Sequence, residues 1–254
     1  MNIEFKTLVL WLNANRLSLN IKKTNYMIFS PHKRASPDIN LLINGENISR
    51  VYETKFLGVI LDHKLSWNPH VRYIKNKISK TIGILFKARK SLGCKYLVSL
   101  YNTLVLPYLS YCLIVWGGAN QTTLDPLIKM QKRALRCICN VNRRASTQEL
   151  FKNTRILKLN DIYRYSQILF MYKFKKGLLP DIFNNLFTFN YEIHQHHTRQ
   201  SSLIHVPKFK TLLSKNYIKY SGVLAWNNIS NHVSDDVCIA TFKKRVKTSI
   251  LKHY

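Results

Sequence analysis

Four groups of residues in this 254-residue sequence have types and spacings that could do chemistry. Asp235-Asp236 is the one adjacent pair of acids. Paired carboxylates can hold a metal ion, but no third carboxylate in a suitable strand context accompanies them. They stand just before a helical pattern at 239–251, where negative charge complements the positive end of the helix dipole. Cys137-x-Cys139 together with His194, His196 and His197 offers soft ligands. A closed zinc site needs a wider cysteine spacing and a paired histidine motif, and cysteines two apart on a helix diverge. No metal site is expected. Lys243-Lys244-Arg245 and Lys247 could form a nuclear import signal, or the polar face of a terminal helix that buries Phe242, Val246 and Ile250. The helix is the preferred reading. The largest group is basic: Arg72, Lys75, Lys80, Lys87, Lys129, Lys132, Arg133 and Arg136 lie on two amphipathic patterns and could track a phosphate backbone.

Charge gives that last group its weight. The chain carries 40 Lys and Arg against 12 Asp and Glu, a net of +28. Such a protein repels itself unless a polyanion neutralises it. Residues 71–145 concentrate the imbalance, with 14 bases and the single acid Asp125. Nucleic acid is the expected polyanion, ahead of an acidic membrane surface, because no lipidation motif or basic amphipathic end stands out. The longest apolar stretch, Leu104 to Trp116, is too short and too interrupted by Pro107 to span a bilayer. The five cysteines (94, 112, 137, 139 and 238) have no disulfide pattern, and no apolar leader follows Met1. An intracellular protein of nucleus or cytoplasm, not a secreted one, is expected.

The elements that must position these groups are mixed. Leu8, Trp11, Leu12 and Leu19 predict a helix over 4–19. A short strand is expected at Tyr26–Ser30. Asn44-Gly45, flanked by apolar alternation, predicts a hairpin. Lys55–Leu61 reads as a further strand, in which Phe56 and Gly58 share one face and Leu57 takes the other. After Trp67 the period becomes helical. Val71, Ile74, Ile78, Ile82 and Leu85 form one stripe, with Arg72, Lys80 and Lys87 away from it. Further helices are expected near 96–105, from an N-cap at Thr123 through Ile138, and at 146–152, 159–175, 211–224 and 239–251. Pro107 should bend or end the second. The His-rich stretch 191–207 reads as a loop.

Several of these segments resemble a known family in order and spacing. Residues 11–29, with Asn20-x-x-Lys23-Thr24 and then an apolar strand, are similar to the palm segment after the catalytic hairpin in non-LTR retrotransposon reverse transcriptases. Residues 55–67, KFLGVILDHKLSW, resemble the primer-grip hairpin, followed by a helix opening with His70. Residues 101–116 and 130–136 resemble the thumb and connection of jockey-like elements. Trp226-Asn227, Phe242-Lys-Lys-Arg and His197-Thr198-Arg199 recur in the same family. The resemblance implies an α+β architecture: a partial reverse-transcriptase palm of β-hairpins plus helix over 1–68, an all-α thumb and connection over 69–145, and a mostly α basic C-terminal domain over 146–254.

It also implies roles. Lys23 would protonate the leaving pyrophosphate in an intact enzyme. Phe56, Leu57 and Gly58 would hold the primer end. The basic residues named above would hold RNA template and RNA–DNA heteroduplex by phosphate and shape. The family's metal-binding aspartates fall before residue 1 in the pattern. The chain is therefore expected to hold nucleic acid without polymerising, with no cofactor of its own, although Mg²⁺ serves the intact polymerase. No membrane and no small-molecule cofactor is expected, and the oligomeric state is left open. The alternative is a non-catalytic basic RNA-binding or structural protein derived from a transposon. As a palm remnant, residues 1–65 should expose apolar surface and an unpaired sheet edge.

Overall fold

The computed structural model describes residues 2–30, 39–193, 200–230 and 237–254. Asp235-Asp236, the histidines 194, 196 and 197, and Thr198-Arg199 lie outside them. The architecture is mixed helix and sheet, in two compact units, Met1–Arg72 and Tyr73–Tyr254.

The first unit opens with α1, Asn2–Ala14. It ends sooner than its apolar spacing predicts. Arg16 takes a left-handed conformation (φ 55°), and the N–H groups of Arg16 and Leu17 return to the carbonyls of Asn13 and Leu12 at 3.0 and 2.9 Å. That is a Schellman stop, so Leu19 is no longer on the helix. The buried side differs too. Phe5 and Val9, with Leu19, Ile21, Tyr26 and Ile39, pack on Leu41, Ile43 and Ile48. Leu8 and Leu10 are exposed and Trp11 is 58% exposed, which matches the expectation of apolar surface on this segment.

Three two-stranded sheets follow. β1 (Asn25–Tyr26) pairs in parallel with β4 (Ser49–Arg50). β2 (Leu42–Ile43) and β3 (Glu46–Asn47) form the expected hairpin, with Asn44 and Gly45 at φ 52° and 82°. β5 (Glu53–Phe56) pairs antiparallel with β6 (Val59–Asp62). The single strand read across Lys55–Leu61 is therefore a second hairpin. Leu57 and Gly58 are its turn, at φ 45° and 85°, and their alternation between faces does not occur. Sequence periodicity missed the reversal because leucine disfavours the left-handed region it occupies here.

The passage into α2 (Asn68–Ala88) is tied down by two buried polar residues. The Asp62 carboxylate accepts from the Ser66 and Trp67 N–H groups, both at 3.0 Å. This fixes a turn in which Leu65 and Trp67 both have positive φ. His70 Nδ1 accepts from the Ile60 N–H at 3.2 Å, clasping helix to strand.

The second unit is helical. Its elements are the remainder of α2, α3 (Cys94–Leu104), α4 (Leu106–Ser110), α5 (Leu113–Trp116), α6 (Gln121–Ile138), α7 (Gln148–Thr154), α8 (Leu159–Lys175), α9 (Asn190–Ile193), α10 (Leu212–Lys215), α11 (Ile218–Ser230) and α12 (Ile239–Leu251). Pro107 stands in the first turn of α4, so the chain breaks there as expected. α6 is capped by Asn120, three residues before Thr123, whose N–H bonds to the Asn120 carbonyl at 2.9 Å. The helix read over 211–224 is two helices, α10 and α11.

The core of this unit is apolar, with a polar hub at Gln131 and a second buried amide, Gln167, whose Nε2 donates to Ser221 Oγ at 2.6 Å. Ile74, Ile78, Ile82 and Leu85 are buried from α2, and Leu124, Leu127, Ala134, Leu135 and Ile138 from α6. α8 packs against α11, α5, α12 and α4. The α5–α8 approach needs Gly117, where a Cβ would lie 2.4 Å from the Tyr163 ring. Gln131 is 1% exposed and fully engaged. Its Nε2 donates to Tyr101 Oη at 2.9 Å and to the Leu157 carbonyl at 2.8 Å, and its Oε1 accepts from the Leu159 N–H at 3.0 Å. An unpaired buried amide would cost about 1–3 kcal/mol. Burial also holds the Tyr101 phenol well above its ordinary range, so it stays protonated. On α12, Phe242, Val246 and Ile250 are buried, with Phe242 stacked 4.2 Å from Tyr172. Lys243, Lys244, Arg245 and Lys247 form the exposed face, as the helix reading expects.

Candidate nucleic-acid interface

Within the first unit, Asn20-x-x-Lys23 forms a single 3-10 turn, Ile21–Lys23. The Asn20 side chain accepts from the Lys23 N–H at 3.2 Å, and Thr24 Oγ1 donates to the Asn20 carbonyl at 2.9 Å. Asparagine and threonine thus shape the backbone and leave the Lys23 side chain exposed. The three residues expected at a primer grip sit elsewhere in this unit, at the tip of the β5–β6 hairpin. Phe56 is 63% exposed and Leu57 75%.

The two hairpins give an internal comparison. Their turn residues have nearly the same φ values, 52° and 82° against 45° and 85°. The first uses Asn-Gly, the pair best suited to positive φ at both positions. The second places leucine in the first of them, at a cost of about 1 kcal/mol. Neither burial nor turn preference accounts for leucine at 57.

Within the second unit, the basic residues of α2 and α6 are exposed on their own helices, and the two helices approach at one point. The stripe Ile74, Ile78, Ile82, Leu85 faces inward, which turns Lys75, Lys80 and Lys87 outward. Lys129, Lys132 and Arg133 are likewise exposed on α6. The helices meet at Phe86, where the Arg89 and Arg133 guanidinium carbons lie 5.0 and 5.3 Å from the ring centroid. Both arginines also act on the Cys137 thiol. Burial pushes that thiol up, and the two guanidinium groups pull it down by less. Two like charges on one ring repel, and no carboxylate among the described residues pairs with either. The same holds for Lys75, Lys80, Lys87, Lys129 and Lys132.

Two members of the expected set stand apart. Arg72 is exposed on α2 but belongs to the first unit. Arg136 is half-buried, and its Nε donates to the Ala145 carbonyl at 2.8 Å. It therefore anchors the loop after α6. Cys137 and Cys139 point to different neighbours, Arg89 and Cys94. Sequence reading missed Gln131, Asp62 and Thr147. Nothing in the pattern separates a buried glutamine from the exposed Lys132 beside it.

The class of protein that these motifs resemble is also what the sequence comparisons return. Over 50% to 61% of its length the chain is similar to RNA-directed DNA polymerases of non-LTR retrotransposons. The RNA-directed DNA polymerase from mobile element jockey of Drosophila funebris is 29% identical over 157 residues, and that of Drosophila melanogaster 28% over 156. The Retrovirus-related Pol polyprotein from type-1 retrotransposable element R1 of Bradysia coprophila is 29% identical over 133 residues, half of this chain. The chain spans 17% of the length of each jockey polymerase and 13% of the R1 polyprotein. No protein-family model matches the chain, and no solved structure matches it. Among the described residues no helix is long and apolar enough to cross a membrane.

Proposed function

We propose that this chain is the primer- and duplex-holding part of a retrotransposon RNA-directed DNA polymerase. Residues 73–145 act as the thumb-like holder of an RNA–DNA heteroduplex, and the β5–β6 tip in residues 1–72 acts on the primer end. The metal-binding aspartates of the polymerisation step are supplied by sequence other than these 254 residues, and Lys23 serves as proton donor only where those metals are in place.

The observation that carries this reading is the outward set Lys75, Lys80, Lys87, Lys129, Lys132 and Arg133. All six are exposed and none is paired with a carboxylate among the described residues. A solvated surface of a globular protein interleaves both signs. A face of one sign is stabilised by a polyanion that releases its counterions on contact. Leu57 adds support, since its positive-φ backbone stands at an exposed tip.

Two measurements test the proposal. Fluorescence anisotropy with a labelled RNA–DNA heteroduplex should show tight, salt-sensitive binding, and no binding at low salt would refute the holding role. Primer extension with Mg²⁺ should show no incorporation, and incorporation above background would refute the missing carboxylates.

A further inference from the structure

A cleft of about 450 Å³ opens in the second unit between α6, the segment leading into α7, and the start of α8. Its apolar floor is Ile128, Phe151 and Leu159, and Lys132 and Lys158 stand on its walls. No acid lines it. The Lys158 ammonium is held 4.2 Å from the centroid of the Tyr254 ring and 5.9 Å from that of Phe151. Neither lysine is paired with a carboxylate among the described residues.

Thr147 is the unusual wall residue. It is 8% exposed and lines the cleft. It occupies the N-cap position of α7, yet its hydroxyl makes no capping bond. It has no side-chain partner among the described residues. Its oxygen is not among the buried polar atoms left without a partner, so the hydroxyl is open to the cleft and to solvent. The walls that carry these groups are fixed. Arg136 anchors Ala145, two residues before Thr147, and Gln131 anchors Leu157 and Leu159 on either side of Lys158.

The ligand must match an apolar floor, two cations and a hydroxyl open to the cleft. A bare phosphate leaves most of the volume and the floor unused. A nucleotide supplies all three: a flat base, an anion and a ribose hydroxyl. Volumes of roughly 300–1,000 Å³ are usual for such ligands. Lys132 belongs both to this cleft and to the basic face of α6, so a strand lying along that face can deliver one residue inward. We propose that the cleft takes one unstacked nucleotide of single-stranded RNA, with its phosphate on Lys132 and Lys158 and its 2′-hydroxyl at Thr147. The proposal rests on the nucleic-acid reading above and adds a single-strand site to it.

The test uses the full chain, a labelled single-stranded RNA of about twelve nucleotides, a labelled RNA–DNA heteroduplex, and free adenosine monophosphate as competitor. The variants are Thr147→Val, which removes the hydroxyl at constant shape, and Asn160→Asp. Asn160 is an exposed cleft residue in the first turn of α8, where an acid suits the helix dipole and the fold is safe. Both variants should weaken single-strand binding about tenfold through lost or opposed contacts to a charged ligand. Heteroduplex affinity should stay within about twofold, since only Lys132 of its six proposed phosphate contacts lies at the cleft. Unchanged single-strand binding in Asn160→Asp would overturn the proposal. So would an equal loss on both ligands, or competition by the free nucleotide as strong as that of the RNA strand. Failure of the wild-type chain to bind heteroduplex would instead count against the holding role, and is read in a separate arm.

Discussion

Removing three cations from one helix should change the salt dependence of heteroduplex binding by a predictable amount. Lys75, Lys80 and Lys87 are exposed on α2, opposite its buried stripe, so replacing them with glutamine disturbs no core contact. If the six outward cations of the second unit each neutralise one phosphate, the slope of log K against log salt is about −5. Raising salt from about 50 to about 200 mM then weakens binding roughly 1,000-fold, because a fourfold change enters at about the fifth power. The triple variant keeps three contacts, so its slope falls to about −3 and the same salt step costs roughly 60-fold. The assay is an anisotropy titration of labelled heteroduplex at several salt concentrations, with thermal melts to show that the fold is intact. A variant slope equal to that of the wild type would refute the assignment of these lysines to phosphate contact.

Three other perturbations have defined outcomes. Gln131→Leu leaves Tyr101, Leu157 and Leu159 polar groups buried without partners, which should destabilise the helical unit by about 3 kcal/mol and lower its melting temperature by roughly 6–12 °C; an unchanged melt would show that the hub is dispensable. Burial lowers the His70 pKa, and its Nδ1 accepts from Ile60 only when unprotonated. Below about pH 6.5 the unfolded chain therefore binds the proton that the fold refuses, so stability is full above that pH and falls as pH drops below it. His70→Asn keeps an acceptor and removes the titration, and should flatten the decline measured by denaturant unfolding across that window. Leu57→Gly relieves the left-handed leucine and should stabilise the hairpin by about 1 kcal/mol while weakening binding of a primer end. Stabilisation without any loss of primer binding would sever the tip from primer contact.

Much of the second unit was legible in the sequence because its helices are strongly periodic. The stripe Ile74, Ile78, Ile82 and Leu85 is buried throughout, and the limits of α8 and α12 match their patterns. Asn44-Gly45 announced its own turn. The failures have physical causes. Leu57-Gly58 reverses the chain without a turn-favouring residue in its first position. α1 buries Phe5 and Val9 because a hairpin tens of residues later lies against them, and periodicity cannot name that partner. Of the candidate site, the outward lysines followed from helical spacing. The cleft did not, because Thr147, Lys158 and Lys132 are brought together by Arg136 and Gln131 across three separate segments.

Gln131 also constrains the order in which the helical unit can assemble. Its partners Tyr101, Leu157 and Leu159 lie 30, 26 and 28 residues away along the chain. Helices α3 and α6 can form early from local contacts, but neither alone satisfies the amide. A collapsed intermediate that buries α6 before the 157–159 segment arrives carries a desolvated, unpaired amide and is disfavoured. Loop closure must therefore precede final dehydration of this core. One glutamine thus works as a folding checkpoint: it admits a single arrangement of the three segments and raises the energy of every compact state in which one of them is out of register.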